Sequence, residues 1–190
     1  MPQPTLLAFA GSTRQASFNR LALEVVIAGA RDAGATVEVA DLADYPMPIY
    51  QADEHAAQGV PATMRALRAR LIAADGLLIA SPEYNGSITP LLKNTIDWLS
   101  QSVDGESGTK PFSGKIVGLC GASPGAFGAV RALPHVAYVL SNLGAIVLPI
   151  VGVPQAGTLF DAQGRLTDDA VRGRLAELGA RAVRTLGRRG

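Results

Sequence analysis

Three short, continuous apolar runs constrain this chain more than any other feature: residues 5–10 (TLLAFA), 76–80 (GLLIA) and 115–120 (KIVGLC). A half-exposed strand alternates apolar and polar residues. These runs do not, so each reads as a strand covered on both faces. Each ends in a loop rich in Gly, Ser or Pro, and each loop leads into helical periodicity. Residues 18–33 place Leu21, Val25 and Ala28 on one face, residues 61–74 gather Met64, Leu67 and Leu71, and residues 89–102 gather Leu92, Ile96 and Leu99. After the third run a helix extends to about Leu143, started or kinked by Pro134. Residues 36–40 (TVEVA) alternate, as expected of a strand nearer a sheet edge, and residues 145–148 read as a fifth short strand. Residues 151–164 read as irregular. Residues 167–188 read as a last amphipathic helix with Val171, Leu175, Leu178 and Val183 inward, ending in a solvated basic tail.

Strand and helix thus alternate five times. That order predicts an α/β domain with a parallel sheet, helices on both faces and right-handed crossovers. Residues 41–59 fit it least. Pro46 and Pro48 exclude a helix there and weaken any strand, so the segment reads as a long loop of functional or interfacial use.

Composition excludes several classes. The 190 residues are 48% hydrophobic, which suits one folded domain over residues 1–190 rather than a disordered chain. Seventeen Lys and Arg against 16 Asp and Glu leave a net charge of +1, which argues against a nucleic-acid face built on bulk charge. A single cysteine can form no disulfide within the chain and no Cys metal cluster, and it fits a reducing cytoplasm. No basic and then apolar leader opens the sequence, and no apolar run reaches the roughly 20 residues that cross a bilayer, so a soluble cytoplasmic protein without membrane contact is expected. His55 and His135 lack a Ser or Cys and Asp constellation, and no His and carboxylate cluster suggests a metal.

In parallel sheets of this kind ligands sit beyond the carboxyl ends of the strands. The loops after the three apolar runs fall on that edge, and they are the unusual loops of the chain. The first carries Gly11, Ser12, Thr13, Arg14, Ser17 and Asn19 at the start of a helix. Hydroxyls and a guanidinium beside a helix N-terminus suit an anion such as phosphate. The loop is neither a Gly-x-Gly-x-x-Gly fingerprint nor a Walker A loop. Taken alone, it is explained equally well as an ordinary cap with Ser17 at the N-cap. In the second loop, residues 81–87 (SPEYNGS), Asn85-Gly86 favours a tight turn with positive φ. The third, residues 121–128, is rich in glycine and carries Ser123, Pro124 and Phe127.

Read together, these loops resemble those of the NADPH-dependent FMN reductase family. Gly11-Ser12-x-Arg14-x-x-Ser17-x-Asn19 is similar to that family's phosphate loop. Ser81-Pro82-Glu83-Tyr84-Asn85-Gly86-Ser87, followed by Pro90 and by Lys93-Asn94-x-x-Asp97-Trp98, resembles its most distinctive signature. The likeness runs from the first strand to about Pro149. It implies a flavodoxin-like three-layer sandwich whose five-stranded parallel sheet has the order 2-1-3-4-5. It further implies FMN as cofactor, NADPH or NADH as electron donor, and a ping-pong reaction that passes electrons to a flavin, quinone, azo compound or metal oxyanion. Ser12, Arg14, Ser17 and Asn19 would then meet the phosphate and the start of the ribityl chain. Pro82, Glu83, Tyr84, Asn85 and Gly86 would line the isoalloxazine, and the third loop with Ser123 would border it. The resemblance also implies a homodimer or homotetramer, for which residues 44–59 and the helix around Trp98 are the natural interface.

Several readings stay open beside it. Glu83 is equally a solvated loop carboxylate, since a full negative charge beside a flavin that gains charge on reduction is unhelpful. Lys93, Asn94 and Asp97 read as structural, with Lys93 and Asp97 paired at i, i+4. Trp98 reads as core or interface, Cys120 as a buried inert thiol, and Phe127 as either a cover for the site or a packing residue. No side chain is singled out as a proton donor. A flavodoxin-type carrier, or an FMN-binding protein with a regulatory role, would bind FMN without nicotinamide turnover; such carriers are usually strongly acidic and this chain is not.

Overall fold

The apolar runs form the middle of a parallel sheet, as a computed structural model of the chain describes for residues 3–188. In chain order the elements are β1 (Thr5–Ala10), α1 (Phe18–Asp32), β2 (Thr36–Ala40), α2 (Ala52–Gln58), α3 (Ala62–Ala73), β3 (Gly76–Ala80), α4 (Pro90–Leu99), β4 (Ile116–Ala122), α5 (Ala132–Asn142), β5 (Ile146–Val147), β6 (Val151–Val153), α6 (Ala156–Leu159) and α7 (Asp169–Gly187). The strand order is β2-β1-β3-β4-β5, with every pairing parallel. This is the flavodoxin-like order.

Alternation along the buried strands divides the core in two. Leu6, Ala8, Leu78, Ala80, Ile116 and Cys120 face the layer of α1 and α7. Leu7, Phe9, Leu77, Ile79, Val117 and Leu119 face the layer of α3, α4 and α5. Helices α1 and α7 touch through glycines. A Cβ on Gly29 would lie 2.1 Å from the Ala176 carbonyl oxygen, and one on Gly179 would lie 2.0 Å from that of Val26.

The sheet has one strand more than expected. β5 pairs with the start of β4 (Ile116 with Ile146) and β6 with its end (Cys120 with Val151). Pro149, which has no N–H to donate, lies in the gap. Residues 151–153 are therefore strand, and residues 156–159 a single helical turn, where the sequence reads as irregular. At the opposite edge, the outward carbonyls of β2 accept from two arginines. Arg31 Nη2 of α1 reaches Val37 O (3.1 Å), and Arg70 Nη2 of α3 reaches Val39 O (3.1 Å).

The segment 41–59 is also more ordered than a loop. Residues 42–44 form a 3₁₀ turn, with Asp41 accepting from Ala43 N. The Pro-rich stretch is pinned by α4: Asn94 accepts from Tyr50 N (2.8 Å) and donates to Pro48 O (2.9 Å), as does Trp98 Nε1 (2.7 Å). The helix α2 that follows is started by Gln51, whose side chain accepts from Glu54 N, and is stopped by Gly59 at φ +74°. None of its residues is buried, so it has no apolar stripe to betray it; Ala, Glu and Gln propensity and its caps suffice. The Lys93–Asp97 pair forms as expected at 2.6 Å, and Trp98 is buried. The expected helix spans overrun the observed ones, by a residue at an end for α1 and α3 and by more for the rest. α4 stops at Leu99, α5 begins at Ala132 with Pro134 in its first turn, and α7 begins after the Asp168 cap. The end of the basic tail lies outside the described residues. No helix among the described residues is long and apolar enough to cross a membrane.

Candidate functional site

The three loops meet beyond the carboxyl ends of β1, β3 and β4 because the chain stitches them together. Gly11 N donates to Ala80 O (2.8 Å), and Ser81 N donates to Cys120 O (2.9 Å). The Asn19 amide bridges further. It donates to Ala122 O (2.9 Å) and accepts from Ala122 N (2.8 Å), both buried, and so ties the start of α1 to the end of β4. Thr89 caps α4 by accepting from Leu92 N and donates its hydroxyl proton to Gly11 O (3.0 Å). Gly11 must be small here: a Cβ would lie 3.0 Å from the Leu92 Cβ.

In the first loop Ser17 stands at the N-cap of α1, yet its hydroxyl makes no bond to the helix. The capping explanation therefore fails at its central atom: Arg20 N turns to the Ser17 carbonyl (3.0 Å), and no side chain caps the N–H groups of Phe18 and Asn19. Ser12 is half-buried, and Thr13 and Arg14 are exposed. The Arg14 guanidinium sits over Phe18 (5.7 Å), and Phe18 stacks on Phe160 (5.9 Å). Gly11, Ser12, Thr13 and Arg14 line a groove of about 340 Å³ together with Tyr84, Thr89, Pro90 and Leu91.

The second loop is a two-residue hairpin turn. Tyr84 N and Ser87 O are 3.1 Å apart, and Ser87 N and Tyr84 O 3.0 Å. Asn85 and Gly86 have φ of +52° and +76°, the expected left-handed pair. The N–H groups of Asn85 and Gly86 lie outside the hairpin's own bonds. Tyr84 is 56% exposed, while Pro82 is buried. The Ser87 hydroxyl lies 2.9 Å from His135 Nδ1.

Glu83 is not a solvated carboxylate. Its side chain is only 6% exposed and forms an ion pair with Arg131. Oε2 accepts from the backbone N of Arg131 (3.1 Å) and of Ala132 (3.2 Å), and Oε1 from Arg131 Nε (2.7 Å). Burial opposes its charge, but the guanidinium and the two N–H groups outweigh burial and hold the carboxyl below its ordinary range. Glu83 thus caps α5 from another loop, and its charge is balanced.

In the third loop, Ser123 N donates to Val153 O (3.2 Å), and Ser123 Oγ donates to Gly125 O (3.4 Å). Cys120 is buried, and burial pushes its thiol up to about 12, as an inert sulfur should be. Phe127 is exposed. Of the residues expected at the site, Ser12, Arg14 and Tyr84 share the groove, and Asn85 and Gly86 adjoin it on the turn. Asn19 and Glu83 hold the loops in place. Thr89 and Arg131 were not foreseen. Thr89-Pro90 carries a readable helix-start signal, whereas the Glu83–Arg131 pair spans 48 residues without a local one.

The donor set fits a phosphorylated planar cofactor: an uncapped helix N-terminus, hydroxyls and one guanidinium at one end, and a backbone turn with an exposed aromatic ring at the other. The sequence profile of the NADPH-dependent FMN reductase family matches residues 4–158. The chain belongs to that family. It is 41% identical over 169 residues to the NAD(P)H-dependent FMN reductase of Pseudomonas aeruginosa, covering 88% of this chain and 86% of the relative. It is 35% identical over 182 residues to the quinone reductase of Escherichia coli, covering 89% and 90%. Among solved structures, the flavoenzyme NAD(P)H:(acceptor) oxidoreductase FerB of Paracoccus denitrificans superposes with a TM-score of 0.79 at 26% identity, over 97% of this chain and 98% of that one. An archaeal flavodoxin, at 12% identity and a TM-score of 0.62, shares the fold. As an FMN reductase family member the chain is an FMN-dependent NAD(P)H oxidoreductase, and the electron-carrier alternative is not favoured.

Proposed function

We propose that the chain binds FMN across the three loops and uses it to reduce quinones with NAD(P)H in a ping-pong cycle. The observation that carries this reading is the groove that joins Ser12, Thr13 and Arg14, on the loop leading into α1, to Tyr84 of the second loop. FMN, when bound, supplies the chemistry, accepting a hydride from the nicotinamide and returning the electrons to the acceptor. The chain's residues bind and orient. Ser12, Arg14 and the N–H groups opening α1 hold the phosphate, with Ser17 at its margin. The backbone of residues 82–86 and Ser123 face the ring, and the N–H groups of Asn85 and Gly86 offer donors where negative charge develops. The quinone class is supported by relatives named quinone reductase in Escherichia coli and 2-hydroxy-1,4-benzoquinone reductase in Burkholderia.

Anaerobic addition of NADPH to the FMN-loaded protein should bleach the flavin absorption, and a quinone should restore it. Failure to take up FMN refutes the reading; uptake without bleaching returns the protein to the carrier class. Arg14→Ala should weaken FMN binding about 10- to 100-fold, the worth of a charge-assisted phosphate contact; unchanged affinity removes Arg14 from the site.

Copies of the chain are proposed to associate through residues 44–59, where Ile49 is exposed. Trp98 lies buried beneath that segment rather than on the surface. A monomer by light scattering refutes the interface. A cytoplasmic location is the proposed compartment, supported by the single, buried cysteine.

A further inference from the structure

Phe127 is a large apolar ring, 57% exposed, on the rim of the third loop. Nothing in its role as a loop residue requires a phenyl group, yet the backbone goes to some length to fix it. Val130 N donates to Phe127 O (3.0 Å) to close a tight turn, and both central residues are left-handed, Gly128 at φ +56° and Ala129 at φ +65°. Ala129 is not glycine and is fully buried, so the turn holds a conformation unfavourable for its sequence. The turn is also pressed against β6: a Cβ on Gly128 would lie 2.4 Å from Pro154 N, and one on Gly152 would lie 2.7 Å from Gly128 O. The base of Phe127 cannot wander.

The ring is backed by charge. The Arg131 guanidinium covers one face at 4.6 Å from the centroid. Arg131 is itself held by Glu83 of the second loop, and its Nε lies 4.0 Å from where a Cβ on Gly86 would sit. A chain of contacts thus runs from the Asn85-Gly86 turn through Arg131 to Phe127. It leaves an aromatic surface on the rim of the proposed flavin site.

We propose that Phe127 is the residue that selects planar aromatic acceptors, its ring stacking on a quinone during the oxidative half of the cycle; this rests on FMN binding as proposed above. The guanidinium behind Phe127 is neutralised by Glu83, so selection rests on the ring itself: a planar acceptor can lie on its open face, and a non-planar one gains nothing there. The overall step balances as NAD(P)H, a proton and quinone giving NAD(P)⁺ and hydroquinone. Both C=O bonds of the quinone become C–OH, one proton arriving from solvent.

The test compares Phe127→Ala and Phe127→Trp with the FMN-loaded wild type by stopped flow, the two half-reactions taken separately. For Phe127→Ala, kcat/KM for 1,4-naphthoquinone should fall about five- to tenfold, the worth of one aromatic stack. The fall should be smaller for 1,4-benzoquinone and absent for ferricyanide, which has no plane to stack. Bleaching by NADPH and the Kd for FMN should not change, and Phe127→Trp should restore naphthoquinone reduction. An equal loss with all three acceptors, or no loss with any, overturns the proposal. A slowed NADPH step overturns it in favour of a nicotinamide contact. A changed oligomeric state with acceptor-independent rates overturns it in favour of a subunit contact. Failure of the wild type to bind FMN or to bleach is a different result, and strikes the proposed function instead.

Discussion

Replacing Glu83 with Ala should cost the fold about 1–2 kcal/mol although the residue lies in a surface loop. The Arg131 N–H loses its acceptor, at about 1 kcal/mol by analogy with N-caps, whereas Ala132 N keeps the Ala129 carbonyl at 3.0 Å. The ion pair with Arg131 adds about 0.5–1 kcal/mol at most, because that guanidinium is half-exposed and regains water. Glu83→Gln keeps the shape and an acceptor but removes the charge, so it should lie between. The carboxyl is held below its ordinary range in the folded state, so its contribution is complete above the unfolded carboxyl value and is lost as pH falls through the lower folded value. The stability gap between wild type and Glu83→Gln should therefore be full at neutral pH and close under acid conditions. Urea denaturation followed by far-UV circular dichroism, run on both proteins at neutral and acid pH, measures the gap. A loss below about 0.5 kcal/mol for Glu83→Ala, or a gap that does not narrow in acid, would refute the capping role.

Two glycines of α7 should respond oppositely to alanine. Gly173→Ala meets nothing within 4 Å and should raise stability by about 0.5–1 kcal/mol, whereas Gly179→Ala must displace α1 and should lower it by about 1–3 kcal/mol or more; thermal melts decide both. Asn19→Ala strands the N–H and C=O of Ala122 and should cost about 2–4 kcal/mol, with FMN affinity falling as the first and third loops part; calorimetry and FMN titration read the two effects. Cys120 should resist a thiol reagent in the native protein at pH 8 and react once the protein is unfolded in urea, and fast native labelling would contradict its burial.

The sheet was legible because β1, β3 and β4 are buried on both faces and so print continuous apolar runs. The Asn85-Gly86 turn was legible because only a few residues accept positive φ. What escaped lacked a local signature. α2 buries nothing, so no periodicity marks it. β6 spans three residues past a proline and gains its status from pairing with β4. At the site, the hydroxyl and guanidinium chemistry of the first loop could be read, but not the division of labour. Asn19 and Glu83 brace the loops, a role the sequence hides because their partners lie 103 and 48 residues away.

The two margins of the sheet bear on how such molecules can meet. A free strand edge invites another strand, and uncontrolled stacking of that kind builds fibres. Here one margin has its outward carbonyls occupied by Arg31 and Arg70, sent from opposite layers, and the other is cut in two at Pro149. The proposed association of copies would then run through helices and loops, where contacts are finite and closed assemblies are favoured. Removing both arginines would change the kind of assembly open to the protein, from one that stops to one that propagates.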